Sequence, residues 1–539
     1  MHSGGSRLSQ PLLLCSLPKS TPLKNLSLSL SSRDSTSLSS LFSYLCQQLI
    51  SLLHHPDELL PLSSMEEHMF SLLRCCLLLV FIVAGYGRME EKRVISLQKL
   101  ELGQQRISQR CLPQKSRREK GATILEVKHH SSCFMTFSTA EDKHMNFIDA
   151  DNARVSSIHF RVKNSGSRST QMNPSEAQIP LTTGAKLQTL NYIVSIKLGG
   201  NEVTVIADTG SDLTWVQCQP CSSCYNQQDP IFNPAASQSY EPVLCNSPTC
   251  TSVQIATGIS SFCGNDQSNC NYSLSYGDGS YTSGVLGWEQ IDLAGTIIDG
   301  FVFGCGLSNH GLFGGASGLM GLGRTYLSLI SQTMLQFGGI FSYCLPPTEY
   351  DSSGSLVLGG DPSIFKNTTP VSYTRMIMDS PESPFYFLNL TGISIGSVAL
   401  DASEFYNGKV IIDSGTVITR LAPSMYKALR AEFLRQFSEY PAAPRFSILD
   451  TCFNLTGFRE VSIPIMKFVF EGGVEVDVDV NGVFYYVKED ASQVCLALAS
   501  LTYENEIGII GNYQQKNLRV VYDTLGSRLG FAEETCGWI

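Results

Sequence analysis

The sequence predicts a mostly-β chain made of two similar halves, and three observations carry that prediction. First, the apolar run Val203-Thr204-Val205-Ile206-Ala207 delivers Asp208 onto a tight turn of Thr209, Gly210 and Ser211. Second, Val410-Ile411-Ile412 delivers Asp413 onto Ser414, Gly415 and Thr416 in the same way. Short β-branched runs stopped by glycine read as buried strands. Third, from about residue 187 the chain consists of short β-rich segments with frequent glycine and few helices, the pattern of layered β structure. Two strands, two aspartates and two hydroxyl-Gly-hydroxyl turns imply a duplicated unit with one carboxylate in each half.

The 539 residues suffice for two or three domains. Residues 1–64 are rich in Ser and Leu, poor in acid and without clear periodicity, and are expected to be absent from the mature protein. Cys75–Ala84 is the first strongly apolar run, preceded by Arg74, and Val83-Ala84-Gly85 at its end offers small residues for cleavage. It is short for a bilayer span and reads as a signal peptide over 65–85. Two readings fit its internal position: translation starting at Met65 or Met69, or a plastid transit peptide at the front. Residues 86–186 are basic and polar, with Lys115-Ser116-Arg117-Arg118-Glu119-Lys120 as one patch. They fit a disordered linker or a removable prosegment lying over an acidic cleft. Ser165-Gly166-Ser167-Arg168 would suit proteolytic access.

Two lobes are expected, 187–369 and 370–539, with a boundary near 366–374. Asn191–Ile196 is a strand candidate. Ser273–Tyr281 reads as a hairpin with Asp278-Gly279 at its tip. Pro423 followed by Met425, Leu429, Phe433 and Phe437 predicts a helix at about 424–438, and a shorter one is expected over 327–337.

Charge divides along the same line. Residues 1–186 hold 22 Lys+Arg and 15 Asp+Glu, a net of +7; residues 187–539 hold 16 and 33, a net of −17, and together these give the −10 of the whole chain. A basic front and an acidic back attract one another, and an acidic folded region argues against a nucleic-acid partner. Twelve of the 18 cysteines, Cys218, Cys221, Cys224, Cys245, Cys250, Cys263, Cys270, Cys305, Cys344, Cys452, Cys495 and Cys536, lie in the acidic part. Their even number predicts about six disulfides and an oxidising compartment. Zinc is disfavoured, because Cys218-x-x-Cys221-x-x-Cys224 has no matching second pair. His310 is the one histidine after residue 187. In Asn-His-Gly it reads as an exposed turn, not as the base of a Ser-His or Cys-His hydrolase. Carboxylates are therefore the best acid–base candidates, and no metal or cofactor is expected.

Two carboxylates brought close together cannot both ionise easily, so the pair shares a proton. The ionised member can take a proton from water, and the protonated one can hydrogen-bond a carbonyl and later protonate a leaving amine. Gly210 and Gly415 allow close backbone approach, while Thr209, Ser211, Ser414 and Thr416 supply hydroxyls around the carboxylates. Gly318-Leu-Met-Gly321-Leu-Gly323 lacks the Lys-Ser/Thr ending of a phosphate loop and reads as close backbone packing.

Asp208-Thr209-Gly210-Ser211 and Asp413-Ser414-Gly415-Thr416 resemble the two active-site signatures of pepsin-like aspartic proteases. Trp215, Tyr276 followed by Gly277, Leu319-Met320-Gly321 and Ile509-Ile510-Gly511 are similar to that family's tryptophan, flap and two apolar-apolar-Gly segments, in the family's order. The cysteine-dense stretch 218–270 resembles the insertion of nepenthesin-type plant members. The resemblance covers roughly 187–539. It implies a bilobal acid-protease fold, catalytic Asp208 and Asp413, an interlobe hydroxyl grip from Thr209 and Ser414, and a flap of Tyr276 and Trp215 closing over substrate. It also implies that 86–186 is an inhibitory prosegment, although no prosegment lysine matches. No saposin-like insert is visible. The alternative is a binding protein on the same scaffold, like the xylanase-inhibitor relatives.

Asn271, Asn367, Asn389 and Asn454 lie in Asn-x-Ser/Thr sequons and would carry glycans on a secretory route. The hydrophobic tail of a lipid anchor is not seen. The expected product is a secreted, monomeric endopeptidase working in acid on polypeptides, free of the membrane once mature, with plastid or vacuole as alternative destinations.

Overall fold

The computed structural model describes residues 92–97, 114–129, 140–164 and 192–537, apart from short stretches at 264–267, 277–279, 312, 314, 348–352, 366–367, 379–382, 401–407 and 489. The extension 1–64, the signal pattern 65–85, the accessible stretch 165–168, Gly277 and the sequon at Asn367 lie outside the described residues.

The fold is mostly β and has two lobes built by one repeated device. In the first lobe, strand Asn201–Asp208 runs parallel to Gly318–Gly321, which also lies antiparallel to Trp215–Gln217. In the second, Lys409–Ile412 runs parallel to Gly508–Ile510, which lies antiparallel to Thr419–Leu421. Each aspartate thus emerges from a strand gripped on its far side by a short apolar strand, which ends at Gly321 in the first lobe and is followed by Gly511 in the second. The near-continuous apolar sequence of these strands follows from burial on both faces. Leu213, Trp215 and Leu319 pack in one core, and Ile412 and Ile510 in the main one. The expected strand at 191–196 runs from Tyr192 to Leu198, and the expected helix spans Pro423–Gln436, burying Met425, Leu429 and Phe433. The 327–337 region forms two single-turn helices, Leu329–Gln332 and Met334–Phe337.

Three pieces of the basic N-terminal region are built into this frame. Strand Ala122–His129 lies between Ser353–Leu358 and Tyr192–Leu198. Because Ile340–Cys344 joins Ser353–Leu358 to Leu518–Asp523, one sheet runs from the first lobe into the second through this strand. Strand Lys92–Ser96 pairs with Glu460–Pro464 of the second lobe. Helix Ala140–Asn164 presents a stripe of Phe147, Ile148, Asp151, Val155 and Ile158, all buried, at helical spacing. Phe147 and Ile148 pack on Val417, Ile418 and Tyr485, while Val155 and Ile158 pack on Phe385, Phe387, Ile411 and Ile509.

All twelve cysteines from Cys218 onward are paired: Cys218–Cys305, Cys221–Cys224, Cys245–Cys263, Cys250–Cys270, Cys344–Cys536 and Cys452–Cys495. His310 ends strand Thr296–His310, exposed, and stacks on Tyr281 with centroids 6.0 Å apart. Asn454 is exposed, and Asn271 and Asn389 are half-buried on strands.

Candidate active site

The two turns face each other with matched bonding. Ser211 Oγ donates to Asp208 Oδ2 at 2.6 Å, and Thr416 Oγ1 donates to Asp413 Oδ2 at 2.6 Å. The N–H of Gly210 donates to Asp208 Oδ1 at 3.1 Å, and that of Gly415 to Asp413 Oδ1 at 3.0 Å. Each carboxylate is thus held in plane by one hydroxyl and one amide. The glycines are needed for close approach: a Cβ on Gly210 would lie 2.8 Å from Asp413 Oδ1, and one on Gly415 would strike the Asp208 carboxylate.

The lobes are tied beneath the carboxylates by reciprocal bonds. The N–H of Ser414 donates to Thr209 Oγ1 at 2.9 Å, and the N–H of Thr209 donates to Ser414 Oγ at 3.1 Å. Ser414 Oγ donates in turn to the carbonyl of Ala207 at 3.1 Å. Gly321 and Gly511 lie under the turns, where a Cβ would meet the backbone of Asp212 or of Val417. Trp215 is fully buried and its indole N–H donates to the Tyr276 hydroxyl at 2.8 Å. Phe313 packs against both rings, with centroids 4.9 and 5.8 Å away.

Between the carboxylates stands a residue that no motif in the sequence marks. Arg154, on helix Ala140–Asn164, donates from Nη2 to Asp208 Oδ1 at 2.6 Å and to Asp413 Oδ1 at 3.1 Å, and from Nε to Asp413 Oδ2 at 3.0 Å. One turn earlier, Asp151 accepts from the N–H groups of Val417 at 2.6 Å and Ile418 at 3.2 Å, and from Arg420 at 3.0 Å. Further along the helix, Arg161 reaches the carbonyls of Gly210 and Ala256 at 3.4 and 3.3 Å. His159 Nε2 lies 2.7 Å from the carbonyl of Ile507. The signal for this helix was present in the stripe Phe147, Ile148, Asp151, Val155, Ile158, but frequent polar residues dilute it, and its partners sit far along the chain.

Electrostatics separate the two carboxylates. Burial alone would push Asp208 up, but the Arg154 charge and the Ser211, Arg154 and Gly210 hydrogen bonds hold it below the ordinary carboxylate range. Burial together with the negative Asp208 lifts Asp413 above that range, against the pull of Arg154, Thr416 and Gly415. Burial also works against the charge on Arg154, yet the two carboxylates hold it above the usual guanidinium value. Asp212, four residues past Asp208, is pushed up to about 6 by burial; it accepts from the N–H of Thr325 at 2.9 Å, and its other oxygen has no hydrogen-bond partner among the described residues.

Comparison with known proteins places these features in company. Family models described as xylanase inhibitor N-terminal and xylanase inhibitor C-terminal match residues 192–360 and 385–533. An aspartyl protease family protein of Arabidopsis thaliana is 42% identical over 76% of this chain and 87% of that protein. Aspartic proteinase nepenthesin-1 of Nepenthes gracilis is 35% identical over 64% of this chain and 78% of its own length. Among solved structures, edgp superposes with a TM-score of 0.53 at 18% identity, covering 78% of this chain and 96% of that one. Conglutin gamma from lupine seeds gives 0.52 at 17% identity, covering 64% and 91%. At that identity the structural likeness speaks for the fold alone.

Proposed function

The chain belongs to the plant pepsin-like aspartic proteases, and from that premise we propose that it is an acid endopeptidase made as a zymogen, with Asp208 and Asp413 as its catalytic pair. The observation that carries this reading is the symmetric pair of buried carboxylates, one from each lobe, each held by one hydroxyl and one amide.

With Arg154 gone, the pair would hold one proton between them, and in this reading Asp208 is the ionised member and Asp413 the protonated one. Asp208 would accept a proton from a water whose oxygen attacks the scissile carbonyl carbon. Asp413 would donate its proton to the carbonyl oxygen, giving a neutral gem-diol. As that diol collapses, Asp413 takes back the proton of one hydroxyl, Asp208 delivers its proton to the departing amine, and the C–N bond breaks. Thr209 and Ser414 keep the two carboxylates at fixed separation, and the Tyr276–Trp215 pair forms the wall that closes over substrate. A cleft between two lobes suits about six to eight extended residues bound through their main chain.

In this reading residues 86–186 are the prosegment, and Arg154 keeps the enzyme silent by occupying the space a water and a peptide bond need. Acid releases it. Arg154 lowers the proton affinity of both carboxylates while the helix is docked. The docked state therefore gains from Arg154 at neutral pH and loses that gain as pH falls through the carboxylate range. The six disulfides and the sequons at Asn271, Asn389 and Asn454 fit a secreted, glycosylated product.

A binding role on the same scaffold is the competing reading, favoured by the description of the matching family models. The intact pair of turns weighs against it. The experiment is acid incubation of the purified chain, followed by N-terminal sequencing and peptide-library cleavage with and without a statine-type inhibitor. Inhibitable cleavage is expected; a chain that stays inert in acid yet binds a glycosidase tightly would reverse the reading.

A further inference from the structure

We propose that Arg420, together with the backbone N–H groups of Val417 and Ile418, forms a carboxylate-binding subsite that takes an acidic side chain of the polypeptide substrate. The proposal rests on the endopeptidase reading above and adds a selectivity to it. The site is already built around a carboxylate. Asp151 receives three donors there, from the N–H of Val417, the N–H of Ile418 and Nη2 of Arg420. Both side chains of the ion pair are buried, 2% exposed for Arg420 and 1% for Asp151. The guanidinium is further fixed by a bond from Nη1 to the carbonyl of Ile418 at 2.8 Å. Such a fork-shaped cation beside two aligned amides is a geometry for a carboxylate.

Its place in the cleft ties it to substrate. Arg420 pairs in register with Ile509, which is level with Ile411, which is level with Phe387. The last three carry Val155 and Ile158 of the docked helix, so Arg420 is the cationic end of an otherwise apolar row. Val417 lies four residues past Asp413, and Asp151 lies three residues before Arg154. One helical turn rises ~5.4 Å, while an extended chain advances ~3.3 Å per residue. The acidic side chain should therefore fall within about three residues of the cut bond, on one side of it.

The subsite outlasts its occupant. When the helix leaves, Arg420 stays on strand Thr419–Leu421 and loses Asp151, its carboxylate partner among the described residues. The guanidinium keeps its bond to the carbonyl of Ile418 and so its orientation beside the two amides, and the emptied site favours a new carboxylate. Asp151 thus acts in the docked state as a stand-in for the substrate's acidic residue.

The test uses the full chain with a protease site inserted between residues 165 and 186, cut after folding and freed of the helix in acid. Matched peptides with Glu or Gln, and Asp or Asn, at each of the three positions on either side of the bond are then assayed at about pH 5, where most of these carboxyls are ionised. The expected result is a ~10–100-fold preference in kcat/KM for the acidic member at one position, the range for a hydrogen bond to a charged group. Arg420→Gln should bring that ratio close to one, and Arg420→Lys should keep part of it. A role in stability alone would leave the ratio unchanged, and wild-type selectivity can be read even if Arg420→Gln folds poorly. A wild-type chain with no acidic preference, or a ratio that survives Arg420→Gln, overturns the proposal. If nothing is cleaved at all, the endopeptidase reading fails. Fluorescence binding of the same peptides then decides the subsite: tighter binding of the acidic member, lost in Arg420→Gln, upholds it, and equal binding overturns it.

Discussion

The two aspartate turns are near-copies for three residues after each carboxylate and then part. Asp208 and Asp413 each receive one hydroxyl and one glycine amide, at distances that agree within 0.1 Å. At the fourth position the first lobe has Asp212 and the second has Val417. Asp212 turns into its own lobe and caps the N–H of Thr325. Val417 offers its N–H outward, and the carboxylate that takes it comes from helix Ala140–Asn164. The first turn is thus finished within its lobe, whereas the second is finished by a segment proposed to leave. The bonding of the carboxylates is the same in both lobes, and just beyond them one lobe has a self-contained support and the other a docking point.

The comparison breaks most sharply at the carboxylates themselves. If the halves are catalytic equals, Asp208→Asn and Asp413→Asn should each lower kcat/KM by at least ~10²–10⁴-fold and leave the near-UV circular dichroism intact. A large loss in only one of the two would end the symmetry. Next comes the residue between them. Arg154→Met removes the shared guanidinium and leaves two buried carboxylates unpaired, which should weaken docking of the helix by ~3–5 kcal/mol. Hydrogen exchange of residues 140–164 would then rise at neutral pH, where the wild-type helix stays protected.

The fourth-position difference has its own test. Asp212 is pushed from the ordinary aspartate value of 3.8 to about 6 by burial. A carboxyl raised in the folded state contributes stability that is present at low pH and is lost as pH rises from about 4 through about 6. A rise of that size is worth ~2–3 kcal/mol. Stability measured by urea unfolding should therefore fall between pH 4 and 7 by an amount that Asp212→Asn reduces, with no counterpart for Val417→Ala. Smaller again is the grip. Ser414→Ala removes an acceptor for the buried N–H of Thr209 and should cost ~1–3 kcal/mol. Arg93→Ala, which breaks a half-exposed pair with Asp477 at 2.7 Å, should cost less than ~1 kcal/mol.

Much of this was legible in the sequence because it is local. A run of β-branched residues ending in Asp-Thr-Gly-Ser writes a buried strand, a turn and its hydroxyls within a dozen positions. Glycines 321 and 511 are legible for a related reason: each ends a short apolar run. The helix Pro423–Gln436 was readable from Met425, Leu429 and Phe433 at regular spacing. The N-terminal elements were not. Strand Ala122–His129 owes its place to partners at 192–198 and 353–358. Arg154 is one of many basic residues in a polar stretch, and nothing nearby separates it from Arg161 or Lys163. Its role comes from carboxylates 54 and 259 residues away. The partner of Asp151, Arg420, is hidden likewise by a separation of 269 residues.

Asp208 and Asp413 as a protease pair held silent by Arg154 can be put to the proof in one comparison. The full wild-type chain and Asp208→Asn are incubated side by side in acid, following cleavage of a quenched fluorescent peptide and the N-terminus of the product. The wild-type chain is expected to shed residues through the 140–164 helix and gain activity, while Asp208→Asn does neither. Equal peptide cleavage by both chains would contradict the assignment.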